Sequence, residues 1–261
     1  MKHNYKVTAT IILLFLAAQF IGLVIVDKLT GEELAFGIER PDLDKETSFI
    51  HIFLIIIIVT IVALVIARFK AVRLWKFWFF LSLTLVLTIS LSAFFNQYVA
   101  LFLALLGVYF RIIKPNVIVH NLSELFIYGG LAAIFVPVLS ILSISILLVL
   151  IAGYDAIAVW KTKHMIRLAK FQSKLKLFAG IMIPYGKKKV AILGGGDIGF
   201  PLLFAGVVVR DLGAIGFLVP FVVALSLFLL LYYGDKNKFY PAMPFLTAGC
   251  FVGYALVRFL V

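Results

Sequence analysis

Apolar runs of about 20 residues recur along this chain, and such runs are long enough for helices to cross a lipid bilayer. The chain is 64% hydrophobic and 14% charged, whereas soluble domains are about half apolar and a quarter charged. These features exclude an ordinary soluble domain and predict a polytopic helical membrane protein. Clear candidate spans are residues 7–26, 49–67, 190–209, 213–233 and 239–261.

Two longer apolar runs, residues 74–113 and 122–160, each predict a pair of helices. Asn96 and Gln97 interrupt the first run, and Pro137 interrupts the second. Proline removes a backbone donor and tends to break a helix, so we expect the chain to turn there. Dividing both runs gives an all-α membrane fold with nine transmembrane helices. The whole chain is expected to form a single domain, because no linker or repeat marks a second one.

The basic residues orient the predicted spans, because Lys and Arg collect in cytoplasmic segments. Residues 161–189 carry nine basic residues and no acidic ones, so we expect a cytoplasmic loop there, between six spans over about 7–160 and three over about 190–261. With the N-terminus in the cytoplasm and the C-terminus outside, 19 of the 24 Lys and Arg residues lie inside. The net charge of +12 therefore indicates topology rather than nucleic-acid binding. We expect a multi-pass integral membrane protein.

Only two acidic residues, Asp155 and Asp197, lie well inside the predicted spans. A carboxylate at membrane depth costs at least about 2.5 kcal/mol, and such residues are typically functional. Asp155 lies six residues before Lys161, where its span reaches the cytoplasmic face. Asp197 lies eight residues after Lys189, where the next span leaves that face. At the helical rise their depths are roughly 9 and 12 Å, so two antiparallel helices can bring them together.

Two carboxylates side by side favour acid–base hydrolysis. When they share one proton, the ionised carboxylate activates a water and the protonated one acts on a carbonyl oxygen. The shared proton also reduces the charge that is buried. We therefore predict that Asp155 and Asp197 form a catalytic pair. A polar pair without chemistry and a proton pathway through the membrane are the alternatives.

Three glycines, Gly194, Gly195 and Gly196, directly precede Asp197. Each glycine weakens a helix by about 1 kcal/mol, so their presence in an apolar run needs a reason. Residues without side chains let another backbone approach the carboxylate, and they let a helix loosen beside a wet cavity. We predict that they give room to substrate, with helix packing through small residues as the alternative.

A proline pair lies near the predicted cytoplasmic start of the last span, where Pro241 and Pro244 flank Ala242 and Met243. Proline keeps the local chain non-helical, which leaves an edge on which an extended substrate could pair. We predict substrate contact at Pro241, Ala242 and Met243. The alternative is that proline merely initiates the helix.

Three motifs in this order resemble the YD, GxGD and PAL motifs of the presenilin and signal peptide peptidase family of intramembrane aspartyl proteases. The motifs are Tyr154-Asp155, Gly194-Gly195-Gly196-Asp197 and Pro241-Ala242-Met243. The resemblance covers essentially the whole chain and is closest to archaeal presenilin homologues, which implies the cell membrane of a prokaryote. Met243 replaces the leucine of the family motif, which is an apolar change of similar volume.

The resemblance implies an aspartic endopeptidase that hydrolyses peptide bonds within transmembrane helices, with Asp155 and Asp197 as the catalytic residues. It places Tyr154 beside the pair or in contact with substrate, and it implies no metal ion and no organic cofactor. The implied partners are transmembrane-helix substrates and membrane lipids, and a homo-oligomer is compatible with the sequence. The modest loop between the aspartate spans does not favour self-cleavage. A proton-coupled transporter is the rival function. Transporters often contain a pseudo-symmetric pair of interrupted helices, and the absence of such a pair from the sequence argues against this alternative.

Overall fold

The fold is described from a computed structural model, over residues 4–69, 71–162, 168, 171–172, 177–185, 189–235 and 240–261. The helices are α1 (Tyr5–Leu29), α2 (Ser48–Arg68), α3 (Val72–Ser92), α4 (Gln97–Ile112), α5 (Val117–Phe135), α6 (Ile141–Ala156), α7 (Gly195–Leu212), α8 (Val219–Tyr233) and α9 (Met243–Leu260). Strands β1 (Gly180–Tyr185) and β2 (Lys189–Gly194) form an antiparallel hairpin that precedes α7. The protein is therefore mostly helical.

Seven helical stretches within the described ranges are long and apolar enough to cross a membrane. One of them, Gly195–Tyr233, combines two of the predicted spans. Helix α4 has 16 residues and falls short of the length of about 20 that a span needs. A polytopic membrane protein is thus confirmed, whereas the count of nine spans stays a prediction.

Both predicted breaks within the long apolar runs are confirmed. The Asn96 side chain caps α4 by accepting a hydrogen bond of 2.9 Å from the backbone N–H of Val99. Helix α5 ends in a 3₁₀ turn around Pro137, and α6 begins where the Ser140 hydroxyl accepts a bond of 3.1 Å from the Ser143 N–H. Polar N-caps therefore begin α4 and α6, and the turn around Pro137 follows the end of α5, as these residue types predict.

The hairpin corrects the all-α prediction and the predicted span at 190–209, because residues 189–194 are strand and the helix begins only at Gly195. In β2, the exposed Val190 and Ile192 alternate with the buried Ala191 and Leu193. This period of two is that of a strand, but so short an apolar run cannot be told from the start of a helix. The depth of roughly 12 Å for Asp197 assumed a helical rise from Lys189 and does not hold.

The hairpin also takes up the end of the loop predicted at 161–189. Strand β1 lies inside that range, and a π-helical turn, Ile157–Lys161, continues α6 to its start. Most of the basic residues that define the loop lie outside the described residues. These are Lys163, Arg167, Lys170, Lys174, Lys176, Lys187 and Lys188.

Helix α5 holds β1 through two neighbouring polar side chains. The Asn121 amide donates to the Met182 carbonyl oxygen at 2.7 Å and accepts from the Met182 N–H at 2.9 Å. One ring nitrogen of His120 lies 2.7 Å from the Gly180 carbonyl oxygen. Asn121 thus pairs with β1 as a neighbouring strand would, on the edge opposite β2.

Helix α7 lies at the centre of the bundle, in contact with α1, α5, α6, α8 and α9. Its middle residues, from Leu202 to Val208, are buried on all sides. The Gln19 amide of α1 donates to the Ile198 carbonyl oxygen at 2.8 Å, one residue beyond Asp197. The position of the candidate catalytic residue is therefore fixed by several packed helices.

A glycine contact between α3 and α5 gives a test of this packing. A methyl group at Gly130 would lie 2.3 Å from the Val86 carbonyl oxygen, whereas nothing lies within 4 Å of one at Gly107 in α4. We expect Gly130→Ala to lower the free energy of unfolding by about 1–3 kcal/mol through overpacking. Gly107→Ala is the control and should raise it by up to about 1 kcal/mol. Denaturant unfolding of both variants in micelles measures this, and equal stabilities would contradict the packing.

Candidate active site

Asp155 lies in the last turn of α6, and its carboxylate faces the beginning of α9. The backbone N–H of Met243 donates to Asp155 Oδ2 at 3.2 Å, and the Ala242 backbone also hydrogen-bonds this carboxylate. The first N–H groups of a helix have no partner within it and carry the positive end of its dipole, so they suit an anion. Asp155 therefore meets two of the predicted substrate residues through their backbone.

Tyr154 points toward a different neighbour. Its side chain hydrogen-bonds Thr60 of α2, and it also interacts electrostatically with Asp155. The ring is half-buried. This arrangement ties α6 to α2 beside Asp155.

Asp197 is the third residue of α7, and Gly194 is the residue that caps this helix. A carboxylate in the first turn of a helix is stabilised by the helix dipole. A side chain on Gly194 would begin 3.1 Å from Asp197 Oδ2, closer than such contacts normally are. The absence of a side chain at Gly194 thus gives the carboxylate its room.

The other two glycines of the motif have different surroundings. A side chain on Gly195 would begin 3.0 Å from the Tyr128 hydroxyl oxygen of α5. Gly196 is exposed, and a side chain there would meet only Phe200, at an ordinary 3.5 Å. Gly195 therefore serves helix packing, while Gly196 leaves open space beside Asp197.

The helices that carry these residues pack against one another, since α6, α7 and α9 are in mutual contact. Both carboxylates are half-buried, so neither is sealed inside the protein. Asp155 lies at the N-terminus of α9, and Asp197 lies in the first turn of α7. Two helix N-termini therefore supply positive potential where the candidate catalytic residues lie.

The proline motif lies at the beginning of α9. Pro241 is buried, and Ala242 has helical backbone angles, φ −85° and ψ −32°. The Ala242 carbonyl oxygen accepts from the N–H groups of Phe245 and Leu246, so this segment does not form the exposed, non-helical edge that the sequence predicted. Pro244 lies within the first turn of α9, where its missing N–H costs nothing. Helix initiation, the alternative interpretation of this motif, therefore describes its backbone, and substrate contact at Pro241, Ala242 and Met243 stays a prediction.

Sequence reasoning missed a third carboxylate, so the statement that only two lie inside the spans is wrong. Glu124 lies in α5 with 1% of its surface exposed and forms an ion pair with Arg111 at the end of α4. Tyr128 donates a further hydrogen bond to Glu124. Arg111 is buried too, although its charge predicted a cytoplasmic surface position. The available signal was one acidic residue one helical turn before a tyrosine, with a basic residue close by in sequence.

A family model described as "Signal-peptide peptidase, presenilin aspartyl protease" matches residues 12–261. The match confirms the resemblance of the motifs and the enzyme class, an intramembrane aspartic endopeptidase. The chain belongs to the signal peptide peptidase and presenilin family of aspartyl proteases.

Two solved structures share the fold, and both are described as a presenilin family intramembrane aspartate protease. The one in space group C222 is 23% identical, with 97% of this chain and 99% of that chain covered and a TM-score of 0.73. The one in space group P2 is 24% identical, with 97% of each chain covered and a TM-score of 0.71. No curated protein sequence is significantly similar to the chain.

The glycine geometry leads to a test of the motif. Gly194→Ala would push its methyl group against the Asp197 carboxylate, whereas Gly196→Ala meets only an ordinary contact. A misplacement of about 1 Å can cost about a hundredfold in rate, so we expect Gly194→Ala to lower kcat at least about tenfold. Gly196→Ala should keep kcat within about threefold and change only KM. Cleavage of a transmembrane peptide per folded protein measures both, and an equal loss of kcat would contradict this assignment.

Proposed function

We propose that this enzyme hydrolyses peptide bonds within transmembrane helices, with Asp155 and Asp197 as a two-aspartate acid–base pair. The observation that carries the proposal is that both carboxylates lie on packed helices, each beside a helix N-terminus. Family membership supports this function over a proton-coupled transporter. A protein that only conducted protons would have no need of a strand edge, that of β2, directly before the helix that carries Asp197.

In the proposed reaction the two carboxyl groups share one proton. The ionised carboxylate takes a proton from water, and the resulting hydroxide attacks the carbonyl carbon of the scissile bond. The protonated carboxyl group gives its proton to the carbonyl oxygen, which forms a neutral tetrahedral intermediate. The carboxyl group that took the proton from water then gives it to the peptide nitrogen, and the other carboxylate takes a hydroxyl proton from the intermediate. The C–N bond breaks, which releases an amine and a carboxylic acid and leaves one proton shared by the pair. The Met243 N–H keeps Asp155 oriented through these steps.

An extended substrate can pair with the hairpin next to Asp197. The backbone groups of Met182 point away from β2, toward Asn121. Ile192 lies opposite Met182 in the register, and in an antiparallel pair their backbone groups then point in opposite directions. The N–H and carbonyl of Ile192 are thus directed to the outer edge of β2, two residues before Gly194. This edge, together with the exposed Gly196, is the proposed substrate path.

The proposed topology has nine spans, with the N-terminus in the cytoplasm and the C-terminus outside, in a prokaryotic cell membrane. The charge distribution of the sequence supports it, since the first loop is acidic and most basic residues fall on the opposite side. Helix α4 is then a short span, and Gly195–Tyr233 crosses twice. The positive φ of 76° at Gly213, between α7 and α8, supports a turn there.

Reporter insertions test this topology. A reporter after Lys114 should be cytoplasmic, and reporters after Glu33 and Val261 should be external, because an even number of spans separates like-sided positions. Accessibility of the three reporters to a membrane-impermeant reagent measures their sides. An external Lys114 would contradict the orientation, and an internal Val261 would contradict the span count.

Substitution of each aspartate tests the catalytic pair. Asparagine cannot exchange the proton, so Asp155→Asn and Asp197→Asn should each lower the cleavage rate at least about a hundredfold. The wild-type rate should follow a bell-shaped pH profile whose two limbs belong to the pair. Mass spectrometry of a transmembrane peptide incubated with the purified protein measures the products.

The matched control is Asp211→Asn, at the far end of the helix that carries Asp197. Asp211 forms an exposed ion pair with its neighbour Arg210, at 2.7 Å. Its substitution should leave the cleavage rate unchanged. A folded Asp155→Asn or Asp197→Asn variant that cuts at the wild-type rate would refute the two-aspartate mechanism.

A further inference from the structure

A buried polar chain links the end of α4 to the beginning of α7. Arg111 donates to the Ser123 hydroxyl at 2.7 Å and to the Phe178 carbonyl oxygen at 3.1 Å. The same guanidinium pairs with Glu124, whose second oxygen accepts from the Tyr128 hydroxyl. We call Arg111, Glu124 and Tyr128 the polar relay. All three are at most 4% exposed.

The relay ends on the glycine motif. The Tyr128 side chain lies against two glycines one turn apart on α7. A side chain at Gly195 would begin 3.0 Å from the Tyr128 hydroxyl oxygen, and one at Gly199 would begin 3.6 Å from the ring. Asp197 lies between these glycines in sequence and interacts electrostatically with Tyr128. No bulkier residue fits at Gly195 without displacing the tyrosine.

The relay also fixes the base of the hairpin. The Phe178 carbonyl, which accepts from Arg111, immediately precedes the carbonyl of Ala179, which accepts from the Gly195 N–H at 3.1 Å. The entry to β1 and the exit from β2 are thus joined at the point where α7 begins. His120 adds a contact to the next residue, Gly180.

A buried ion pair contributes little net stability, because the desolvation of two charges offsets their attraction. The ion pair of Arg111 and Glu124 instead fixes geometry, because each of the two side chains can meet its hydrogen-bond partners in only one arrangement. Arg111, Glu124 and Tyr128 lie on α4 and α5, and neither helix carries a candidate catalytic aspartate. Any effect of the polar relay on the candidate catalytic residues must therefore act through the position of α7.

We infer that Tyr128, held by Glu124 and Arg111, is a positioning residue that sets the orientation of the Gly195–Asp197 turn for catalysis. This inference rests on the proposed function of Asp197. The Tyr128 hydroxyl, fixed by Glu124, prevents the ring from sliding along the glycine face of α7. Without the hydrogen bond from this hydroxyl to Glu124, the first turn of α7 shifts and Asp197 is no longer aligned with Asp155.

Tyr128→Phe is the direct test, because it keeps the ring and removes only the hydroxyl. Cleavage of a transmembrane peptide by the purified full-length protein should show kcat reduced at least about tenfold, with KM within about threefold. The melting temperature should change little. The control is Tyr254→Phe, whose ring packs on Phe204 in the same bundle and whose loss of a hydroxyl should change neither parameter.

A second variant separates positioning from stability. Arg111→Met combined with Glu124→Met replaces the ion pair with apolar side chains of similar size, an exchange that often preserves or improves folding. The folded double variant should still show a reduced kcat, because the Tyr128 hydroxyl has lost its acceptor. Adding Tyr128→Phe to it should lower kcat no further, since the three residues act as one unit.

The outcomes are distinct. Full kcat in folded Tyr128→Phe, while Asp197→Asn is inactive, would overturn the positioning role and leave the proposed function intact. Full kcat in Asp197→Asn would refute the proposed function itself. Loss of folded protein in Tyr128→Phe with unchanged kcat in the remaining folded fraction would assign the relay to stability alone and would also overturn the inference.

Discussion

The desolvation of carboxylates is the constraint on which this structure depends. A carboxylate removed from water must find hydrogen-bond donors or positive charge within the protein. The three carboxylates described above solve this in different ways: Asp155 accepts the Met243 N–H, Asp197 lies in the first turn of its own helix, and Glu124 pairs with Arg111. The partner of each carboxylate determines which role that carboxylate can have in the protein.

The difference between the partners explains the difference in role. Glu124 meets the permanent positive charge of Arg111 and is 1% exposed, so it serves structure. Asp155 and Asp197 are half-buried beside helix N-termini, which stabilise negative charge without neutralising it. Such carboxylates keep access to water and can exchange a proton. The bundle thus holds one carboxylate in a buried ion pair and two partly exposed carboxylates beside helix N-termini.

Glycine and extended backbone make this arrangement sterically feasible. Gly194 makes room for the Asp197 carboxylate, and Gly195 makes room for the Tyr128 ring, so two adjacent glycines serve two different neighbours. The hairpin brings its last strand directly into the helix that carries Asp197. Backbone geometry at these few residues therefore connects the packing of the bundle to the candidate site.

The sequence predicted the elements whose signals are local. Apolar length identified the membrane helices, Asn96 and Pro137 marked breaks, and the three motifs gave the family. The hairpin was missed because its apolar residues continue the pattern of the following helix, and one hydrophobic run served two structures. Pairing of β1 with Asn121 and of Asp155 with Met243 depends on tertiary contacts, which no spacing along the chain encodes. The pair of Glu124 and Arg111 left only the weak signal of an acidic residue one helical turn before a tyrosine.

The central claim is that Asp155 and Asp197 face each other between α6 and α7, and chemical cross-linking tests it most directly. In a Cys250→Ala background, a short bifunctional thiol reagent should cross-link the cysteines of Asp155→Cys and Asp197→Cys. A monofunctional thiol reagent is the negative control and should give no cross-link. The positive control is Asp155→Cys with Met243→Cys, because the Met243 backbone N–H lies 3.2 Å from Asp155 Oδ2 in the unsubstituted protein. Efficient cross-linking of both pairs is the predicted result, and cross-linking of the control pair alone would contradict a catalytic pair.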